Sequence, residues 1–465
     1  MILPFNFDRL SSGKYFISNQ AGFHTSLSEK HLYELVHSGL TDNNDLNDVL
    51  QSKLFIQGNE QIEASIASLA SANAKKISSA LNFNPIFMIV PTLRCDHTCR
   101  YCQVSRASVN ASGYDLQEES IPQIISTIKK LSSPPYKIEI QGGEPLIRFD
   151  LIKRIYSNCE STLEGEFEFI IATSLSLFNE EILDWAKPRN VLFSASLDGD
   201  EIVHNYNRIL KKGDSYLKAV NAIKTIKEEL GSDRVSTVTT ITKQALKYPE
   251  RLLQAHKEIS IFDLFVRPIS QYGFANSNSF DEYSIPEYMA FYNELLTAIQ
   301  KENSKGYSFV EHAAAIHVKR LLISNFNSYA DLKSPSGMFL NCILFNYDGN
   351  IYGSDESRML QKVHPKMDFS IGSFQSDHSN ISINEFSISA IANGFNQHQP
   401  GCNTCAYQPF CGADPCHHIS LQGEPIGDKS QSFFCNYHKS TFQLITNEIT
   451  KSSDLGLLLE SWADV

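Results

Sequence analysis

Ten cysteines are the residues of this 465-residue chain that most clearly suggest chemistry. Three of them, Cys95, Cys99 and Cys102, lie within eight residues in the spacing C-x3-C-x2-C, and five more lie close together near the C-terminus. Clustered thiols usually hold metal, whereas structural disulfides are rare in a reducing compartment. The clustering therefore favours metal sites over disulfides.

The three-cysteine loop has one ligand too few for a closed metal site. A structural zinc site usually has four ligands, so three thiolates indicate a site with an open position. A [4Fe–4S] cluster held by three cysteines leaves one iron free, and the amine and carboxylate of an amino acid can chelate that iron. His97 could instead complete a zinc site, and the ligand set alone leaves this alternative open.

Composition and charge limit the partners and the compartment. The chain is 42% hydrophobic, enough for a sizeable core, and its net charge of −12 argues against a broad phosphate-binding surface. Its first residues, MILPFNFDRLSSGK, lack a secretory pattern, and the longest apolar run, IFMIV, is too short to span a bilayer. We expect a cytoplasmic protein with neither nucleic acid nor membrane as a partner.

The elements that must position the first cysteines alternate regularly between residues 85 and 270. Amphipathic stretches separate six apolar or β-branched runs: PIFMIVPT, YKIEIQGG, FEFIIATS, NVLFSASLDG, VSTVTTI and FDLFVRP. This alternation predicts an α/β fold with a parallel sheet, either doubly wound or curled into part of a β/α barrel. In barrels the chemistry lies at the carboxyl ends of the strands, where the unusual residues of this sequence fall.

The whole chain divides into five predicted segments. A small α+β module is expected at 1–60, a helical linker at 61–84, the barrel at 85–275, a helical connector at 276–335 and a loop-rich, cysteine-rich domain at 336–465. In the first module, Ser28 and Gly39 are the predicted caps of a helix. In the last, Asp348-Gly349 suits a hairpin turn.

The cysteine loop after the first strand resembles that of the radical SAM superfamily, whose hallmark is this spacing in a partial (β/α)6 TIM-type barrel. The resemblance covers about residues 85 to 270. It implies that the open iron binds S-adenosylmethionine (SAM). An electron from the cluster would then release a 5′-deoxyadenosyl radical, which abstracts hydrogen atoms.

Further motifs match the superfamily in order, and they imply the contacts to SAM. QGGEPL follows the second strand and matches the segment beside the SAM amino group, SASLDG supplies a polar contact, and HNYNR supplies an arginine for the SAM carboxylate. One departure is visible, because Ser174 stands where relatives commonly carry asparagine. The residues carried over by position are Tyr101, whose backbone would meet adenine, and Gly142, Gly143, Glu144, Ser196 and Arg208.

The second cysteine group resembles the SPASM domain, the auxiliary-cluster module of radical SAM enzymes that modify peptides. By position, one auxiliary [4Fe–4S] cluster would be held by Cys402, Cys405, Cys411 and Cys435, and a second would involve Cys342 and Cys416. The second match is incomplete because Ser354 replaces the usual cysteine. That cluster is thus absent, smaller, or completed by Asp355, His417 or His418, and a structural zinc is the alternative for the whole region.

Asp355 has two interpretations. In sulfatase-maturating relatives, an aspartate just after the missing cysteine accepts a proton near the substrate, and Asp355 occupies the matching position. The alternative is an aspartate that caps a helix.

The resemblance over the full length is greatest to the His-Xaa-Ser system radical SAM maturases. It implies an enzyme that modifies a ribosomally made precursor peptide or small protein, with an electron donor and a second radical SAM enzyme as further partners. The N-terminal module would grip the precursor by adding a strand to a sheet edge. Two alternatives stay open: a sulfatase-type maturase that makes formylglycine, and a non-catalytic iron–sulfur or zinc protein that binds a peptide.

Overall fold

The computed structural model describes residues 1–58, 62–270, 272, 282–326, 329–374, 380–382 and 384–465. The predicted limits at residue 61 and at 275–276 lie outside these residues. The chain forms two compact units. The terminal unit comprises Met1–Asn82, Ala314–Gly337 and Ile391–Val465, and the barrel unit comprises Phe83–Ala313 and Met338–Ala390. The predicted segment 336–465 is therefore shared between the two units.

The terminal unit begins with a three-stranded antiparallel sheet and three helices. Its elements are β1 (Asn6–Arg9), β2 (Tyr15–Ser18), β3 (His24–Leu27), α1 (Glu29–Ser38), α2 (Asn44–Ser52) and α3 (Ile62–Ala80). The Ser28 hydroxyl accepts from the backbone N–H of His31, and Gly39 closes α1 in the left-handed conformation, so both predicted caps are present. The short strand β1 had no predicted counterpart.

The barrel unit follows in the order that the sequence predicts, and all six predicted strands are present. Its strands up to residue 311 are β4 (Ile86–Thr92), β5 (Arg94–Cys95), β6 (His97–Cys99), β7 (Ala107–Ser108), β8 (Tyr136–Gly142), β9 (Phe167–Thr173), β10 (Val191–Ser196), β11 (Arg208–Leu210), β12 (Val235–Ile241), β13 (Asp263–Pro268) and β14 (Val310–Glu311). The helices between them are α4 (Ile121–Leu131), α5 (Phe149–Thr162), α6 (Glu180–Ala186), α7 (Glu201–Asn207), α8 (Ser215–Glu229), α9 (Pro249–Glu258) and α10 (Ile285–Asn303).

The C-terminal part of the chain contributes elements to both units. After α11 (His312–Leu322) come β15 (Cys342–Phe345), β16 (Asn350–Tyr352), α12 (Asp355–Val363), β17 (Ser370–Ser373), β18 (Asn380–Ile381), α13 (Glu385–Ala392), α14 (Pro415–Gln422), α15 (Phe433–Lys451) and α16 (Asp454–Ser461). None of the helices in the described residues is long and apolar enough to cross a membrane.

The main sheet is parallel over most of its width and is not closed. Within the described residues its order is β14-β13-β12-β10-β9-β8-β4-β15-β16-β17-β18, with antiparallel pairing from β15 to β18. β15 lies parallel to β4, with Leu344 opposite Met88. The predicted hairpin connects β15 to β16, and Gly349 has a φ of 91° in its turn. This open α/β sheet confirms the predicted partial barrel.

The two faces of the sheet differ in burial, and the difference shows where space remains. On β10, Val191, Phe193 and Ala195 are buried in the core formed with the surrounding helices, whereas Ser194 and Ser196 are half-buried. β9 alternates in the same way. A closed barrel would fill its interior with side chains. The half-buried faces therefore line an open lumen rather than a packed core.

Candidate active site

The cysteine loop is fixed by backbone pairing at the carboxyl end of β4. β6 pairs with β11, which places Cys99 directly opposite Arg208. The Arg100 backbone N–H donates to the Asn207 carbonyl at 3.0 Å, and the Glu144 N–H donates to the Arg94 carbonyl at 2.9 Å. The loop is therefore held by the segments that follow β8 and β10.

A cavity of about 330 Å³ opens at this edge of the barrel unit. This volume is sufficient for a small-molecule cofactor. Ten of the sequence-predicted residues line it, namely Cys95, Cys99, Tyr101, Cys102, Gly142, Gly143, Glu144, Ser196, Arg208 and Asp355. The structure thus brings together residues from five separate segments of the sequence, and their individual roles stay predictions.

Gly142 and Gly143 are required by the packing of the backbone itself. A Cβ at Gly142 would collide with the carbonyl oxygen of Thr92, and one at Gly143 would collide with those of Leu93 and Arg94. Gly142 also has a φ of 142°, which side-chain-bearing residues rarely adopt. The sequence interpretation assigned these glycines to close approach of a ligand, whereas the structure supplies a sufficient reason inside the protein.

Glu144 is buried, and its carboxylate accepts four hydrogen bonds from nearby residues. Its carboxylate accepts from the Thr173 hydroxyl at 2.6 Å, from the Ser174 hydroxyl at 2.6 Å, from the Ser174 N–H at 2.9 Å and from the Leu146 N–H at 3.1 Å. These four donors fill the roughly four lone-pair positions of a carboxylate. Ser174, the departure from the superfamily pattern, supplies two of them and so joins the end of β9 to the Glu144 turn.

Arg208 is anchored by a carboxylate that the sequence interpretation missed. Its Nε donates at 3.0 Å to Oδ2 of the fully buried Asp198, which also accepts from the Tyr101 hydroxyl at 2.7 Å. Burial alone would raise the pKa of Asp198, but Arg208 lowers it below its ordinary value. The available signal was the Asp-Gly pair that ends SASLDG, directly after a strand.

Asp355 is the first residue of α12, and Ser354 is the N-cap, so the capping interpretation of Asp355 is wrong. Oδ1 of Asp355 accepts from Nε and from Nη2 of Arg358, each at 2.7 Å. Asp355 therefore reaches the cavity as one half of an ion pair.

The Cys342 thiol lies 3.5 Å from the sulfur of Met88, and Met88 also lines the cavity.

Glu139 is a second residue that the sequence interpretation missed. It lies on β8 and faces the lumen, two residues before Gln141, which also lines the cavity. Among the described residues no hydrogen bond or ion pair engages its carboxylate. Burial and the charge of Asp355 raise the pKa of Glu139 to about 7, with Arg267 opposing the shift. The signal was the period of two along β8, which puts Glu139 and Gln141 on one face.

We expect Glu139→Gln to stabilise the protein at alkaline pH. Because the native pKa is raised, the folded protein binds an extra proton between the ordinary pKa and about 7, so stability falls as the pH rises through that window. Urea unfolding should show the variant more stable than wild type by about 3 kcal/mol at pH 8 and equal to it near pH 4. An equal difference at both pH values would show that Glu139 does not titrate in this window.

The predicted auxiliary-cluster cysteines belong to the terminal unit. Cys402, Cys405 and Cys411 lie between α13 and α14, and Cys435 lies on α15. The Cys411 thiol is close enough to the other three for their charges to raise its pKa further, after burial as the main cause. The four thiols therefore form one group.

The residues suggested for a second cluster are divided between the two units. Cys342 belongs to the barrel unit and Cys416 to the terminal unit. Nε2 of His417 accepts from the Phe434 N–H at 3.3 Å, and Nε2 of His418 lies 2.9 Å from the Ser432 hydroxyl. Both rings therefore already have partners in the protein.

The spacing of the thiols distinguishes between the two metals. In a tetrahedral zinc site with Zn–S bonds of about 2.3 Å, neighbouring sulfurs lie roughly 3.8 Å apart. In the described residues, no three of these cysteines have their sulfurs within 4.8 Å of one another. Both ring nitrogens of His97 are also engaged, Nδ1 by Asp96 and Nε2 by Ser215. Both groups of thiols therefore fit a larger iron–sulfur cluster better than a single zinc ion.

Burial raises the pKa of several of these thiols and so favours their protonated form when no metal is bound. It raises the pKa of Cys99 to about 12 and that of Cys402 to about 11. A metal binds thiolates, so loading must displace these protons. Both groups are therefore expected to take up metal more readily as the pH rises.

Comparisons with known proteins agree with this geometry. Residues 89–254 match the model of the radical SAM superfamily. The radical SAM cyclopropyl synthase TigE of Paramaledivibacter caminithermalis is 23% identical over 205 residues, which cover 40% of this chain and 43% of that protein. The chain spans about half the length of the curated relatives that it matches.

Two solved structures share the fold over most of the chain. The structure of anSMEcpe with bound AdoMet has a TM-score of 0.65 and 14% identity, and the match covers 82% of this chain and 99% of that one. Streptococcus suis SuiB bound to its precursor peptide SuiA has a TM-score of 0.53 and 15% identity, covering 92% and 98%. The superfamily fold implies a [4Fe–4S] cluster and SAM, and the cavity has the thiols and the polar residues to hold them. Residues 89–254 of the chain are therefore similar to the radical SAM superfamily.

Proposed function

We propose that this protein is a radical SAM maturase that modifies a ribosomally made peptide or small protein. The observation that carries the proposal is the single cavity in which Cys95, Cys99 and Cys102 meet Ser196 and Arg208 beside an open lumen. When bound there, SAM and its cluster supply hydrogen-atom abstraction from an unactivated carbon.

The residues of the cavity have separate roles in this proposal. The three thiolates hold the cluster, and Arg208 pairs with the SAM carboxylate while Asp198 fixes its Nε. Tyr101, Gly142, Gly143, Glu144 and Ser196 shape and line the SAM site. The lumen below remains available for the substrate, with Glu139 and Asp355 on its wall.

The peptide substrate is supported by the relatives and by the terminal unit. SuiB was solved with a precursor peptide, and anSMEcpe with the Cp18Cys peptide. In the terminal unit, a sheet of β1 to β3 with three helices provides a module that could grip a precursor. Within this class we propose a small protein carrying His-Xaa-Ser repeats as substrate, a second radical SAM enzyme and an electron donor as partners, and a cytoplasmic location.

We further propose that Cys402, Cys405, Cys411 and Cys435 hold an auxiliary [4Fe–4S] cluster that takes up an electron from the substrate radical and so completes the oxidation of the substrate. The spacing of these sulfurs supports a cluster over zinc. A second auxiliary cluster that involves Cys342 and Cys416 stays a prediction.

A sulfatase-type maturase is the second candidate, and Asp355 at the cavity is the observation that favours it. The pairing of Asp355 with Arg358 weakens this candidate, because Arg358 already engages Oδ1 of the carboxylate that would have to accept the substrate proton. Co-expression with a sulfatase distinguishes the two. An unmodified active-site Cys or Ser in its mass spectrum would exclude the second candidate.

SAM cleavage tests the main proposal. The anaerobically reconstituted enzyme with dithionite should convert SAM to 5′-deoxyadenosine, measured by liquid chromatography with mass detection, even without a peptide substrate. Arg208→Ala should lower the rate at limiting SAM by roughly 10 to 100-fold, since it removes a charge-assisted contact. A wild-type enzyme that carries its cluster and forms no 5′-deoxyadenosine would overturn the proposal in favour of a non-catalytic protein.

A further inference from the structure

A buried chain of polar side chains runs beneath the cysteine loop and is not part of the roles described above. Its members on the loop are Asp96 and His97, and its other members are Ser176, Ser215 and His204. His97 and His204 are 2% and 1% exposed, and Ser215 is 2% exposed. Burying a polar group costs free energy unless the group is hydrogen-bonded. The hydrogen bonds of this chain must therefore offset the desolvation free energy of its five members.

The bonds in this chain are short and continuous. Ser215 Oγ lies 2.8 Å from Nε2 of His97 and 2.9 Å from Nε2 of His204. Nδ1 of His97 lies 2.8 Å from Oδ1 of Asp96, whose Oδ2 accepts from the Ser176 hydroxyl at 2.7 Å. Ser215 is therefore the single bridge between the two histidines.

One backbone donor fixes the direction of the chain. The Asp198 N–H donates to Nδ1 of His204 at 3.3 Å, so that nitrogen carries no proton. Burial lowers the pKa of His204 to about 3, and the neutral ring therefore carries its proton on Nε2. That N–H donates to the Ser215 oxygen, which leaves the Ser215 hydrogen for Nε2 of His97. His97 then carries its proton on Nδ1 and donates it to Asp96.

The chain closes into a ring around the central cysteine. The Tyr101 hydroxyl donates to Asp198, whose backbone N–H begins the path through His204 and Ser215 back to His97. Cys99 lies midway between the ring members His97 and Tyr101, and it is also the residue paired with Arg208. If a hydrogen bond in the ring were lost, Cys99, a predicted cluster ligand, could therefore move relative to Arg208, the predicted SAM anchor.

Ser215 is free to serve this ring because another residue caps its helix. It is the first residue of α8, and the side chain of the preceding Asp214 accepts the capping hydrogen bond from the Leu217 N–H at 2.8 Å. A serine at the start of a helix usually has a hydroxyl engaged with the backbone. Here the hydroxyl points to two imidazoles instead.

We propose that Ser215 is a positioning residue: by bridging His97 and His204, it closes a hydrogen-bonded ring that holds Cys99 opposite Arg208. The inference deepens the proposed function, since it concerns the same site. It requires only the residues of the barrel unit and no particular peptide substrate.

The tautomers give a test that needs no cluster. In metal-free protein labelled with ¹⁵N-histidine, long-range ¹H–¹⁵N spectra should show His204 protonated on Nε2 and His97 protonated on Nδ1, with resonances assigned through His→Asn variants. Ser215→Ala should abolish the single tautomer of His97. A wild-type His97 protonated on Nε2, or a His97 spectrum unchanged by Ser215→Ala, would overturn the proposal.

SAM binding by the reconstituted enzyme gives the second test. Ser215→Ala should weaken SAM binding, measured calorimetrically, by about tenfold and shift the midpoint potential of the cluster, because residues that orient metal ligands through hydrogen bonds have effects of this size. Ser215→Thr, which keeps the hydroxyl, should restore binding to within about twofold of wild type. Ser157→Ala, at an exposed position on α5, serves as the matched control.

The outcomes separate the two proposals. If wild type cleaves SAM and Ser215→Ala binds SAM as wild type does, the ring has no positioning role and only this inference fails. If neither wild type nor any variant cleaves SAM while the tautomers are as assigned, the proposed function is wrong and the inference about the ring is retained. Circular dichroism will show whether Ser215→Ala folds. If it does not, the tautomers of the wild-type protein and SAM binding by Ser215→Thr still test the inference.

Discussion

Simultaneous replacement of Cys95, Cys99 and Cys102 by Ala is expected to halve the iron content of the anaerobically purified protein and to abolish SAM cleavage. With one cluster in each cysteine group, wild type should hold about eight irons and the variant about four. The fold should survive, because these thiols line a cavity rather than fill a core. Iron and sulfide quantification with EPR, with and without SAM, measures the effect.

The reciprocal variant tests the independence of the two sites. Replacing Cys402, Cys405, Cys411 and Cys435 should also leave about four irons, but the remaining EPR signal should now respond to SAM. Cys159→Ala is the control, because this buried thiol on α5 belongs to neither group and should leave the iron content unchanged. Zinc in place of iron in the second group would contradict the auxiliary cluster, and wild type without iron would contradict both.

The sequence predicts the barrel well because its signals are local. Each of β4, β8, β9, β10, β12 and β13 is a short apolar run followed by an amphipathic helix, and the parallel order follows from that alternation. The cysteine spacing and the motifs after the strands mark the residues that line the cavity. What the pattern could not supply is pairing at the sheet edge, where β15 joins β4 across more than 240 residues. No local signal specifies such a partner.

The sequence also could not show which contacts within the protein require the residues of these motifs. Gly142 and Gly143 are needed because the β8 exit crosses the backbone after β4, and Glu144 is saturated by donors that come from β9 and its exit. Both facts depend on contacts between separate strands. A sequence motif records that a residue type is needed, and only the packing shows whether the need comes from the ligand or from the protein.

Glu139 and Asp198 were missed for different reasons. Glu139 lies in a strand where a charged residue looks like a solvent-facing position, and only the open lumen turns that face into a cavity wall. Asp198 stands within a quoted motif, but its role depends on Tyr101 and Arg208, which reach it from two other segments. Buried polar residues that act through partners are visible only once the chain has folded.

Asp198→Ala is expected to be the most damaging single substitution in the barrel unit, with a loss of about 3 to 5 kcal/mol in the free energy of unfolding. The variant leaves the guanidinium of Arg208, whose side chain is 12% exposed, without its counterion, and it removes the acceptor of the Tyr101 hydroxyl. An exposed pair gives the scale of comparison: Asp184→Ala, opposite Lys187, should cost less than about 1 kcal/mol. Urea unfolding at pH 7 measures both variants.

The pH dependence of stability tests whether the charge of Asp198 causes the loss of stability in Asp198→Ala. Because the native pKa of Asp198 is below its ordinary value, the stability that its carboxylate contributes is present above the unfolded pKa and is lost as the pH falls through the native one. The difference between wild type and Asp198→Ala should therefore be constant from pH 6 to pH 8 and shrink below about pH 4. Asp198→Asn, which keeps the shape without the charge, should fall between the two. If Asp198→Asn matched wild type in stability and in SAM binding, the Arg208 anchor would depend on shape alone and the electrostatic account of this site would be wrong.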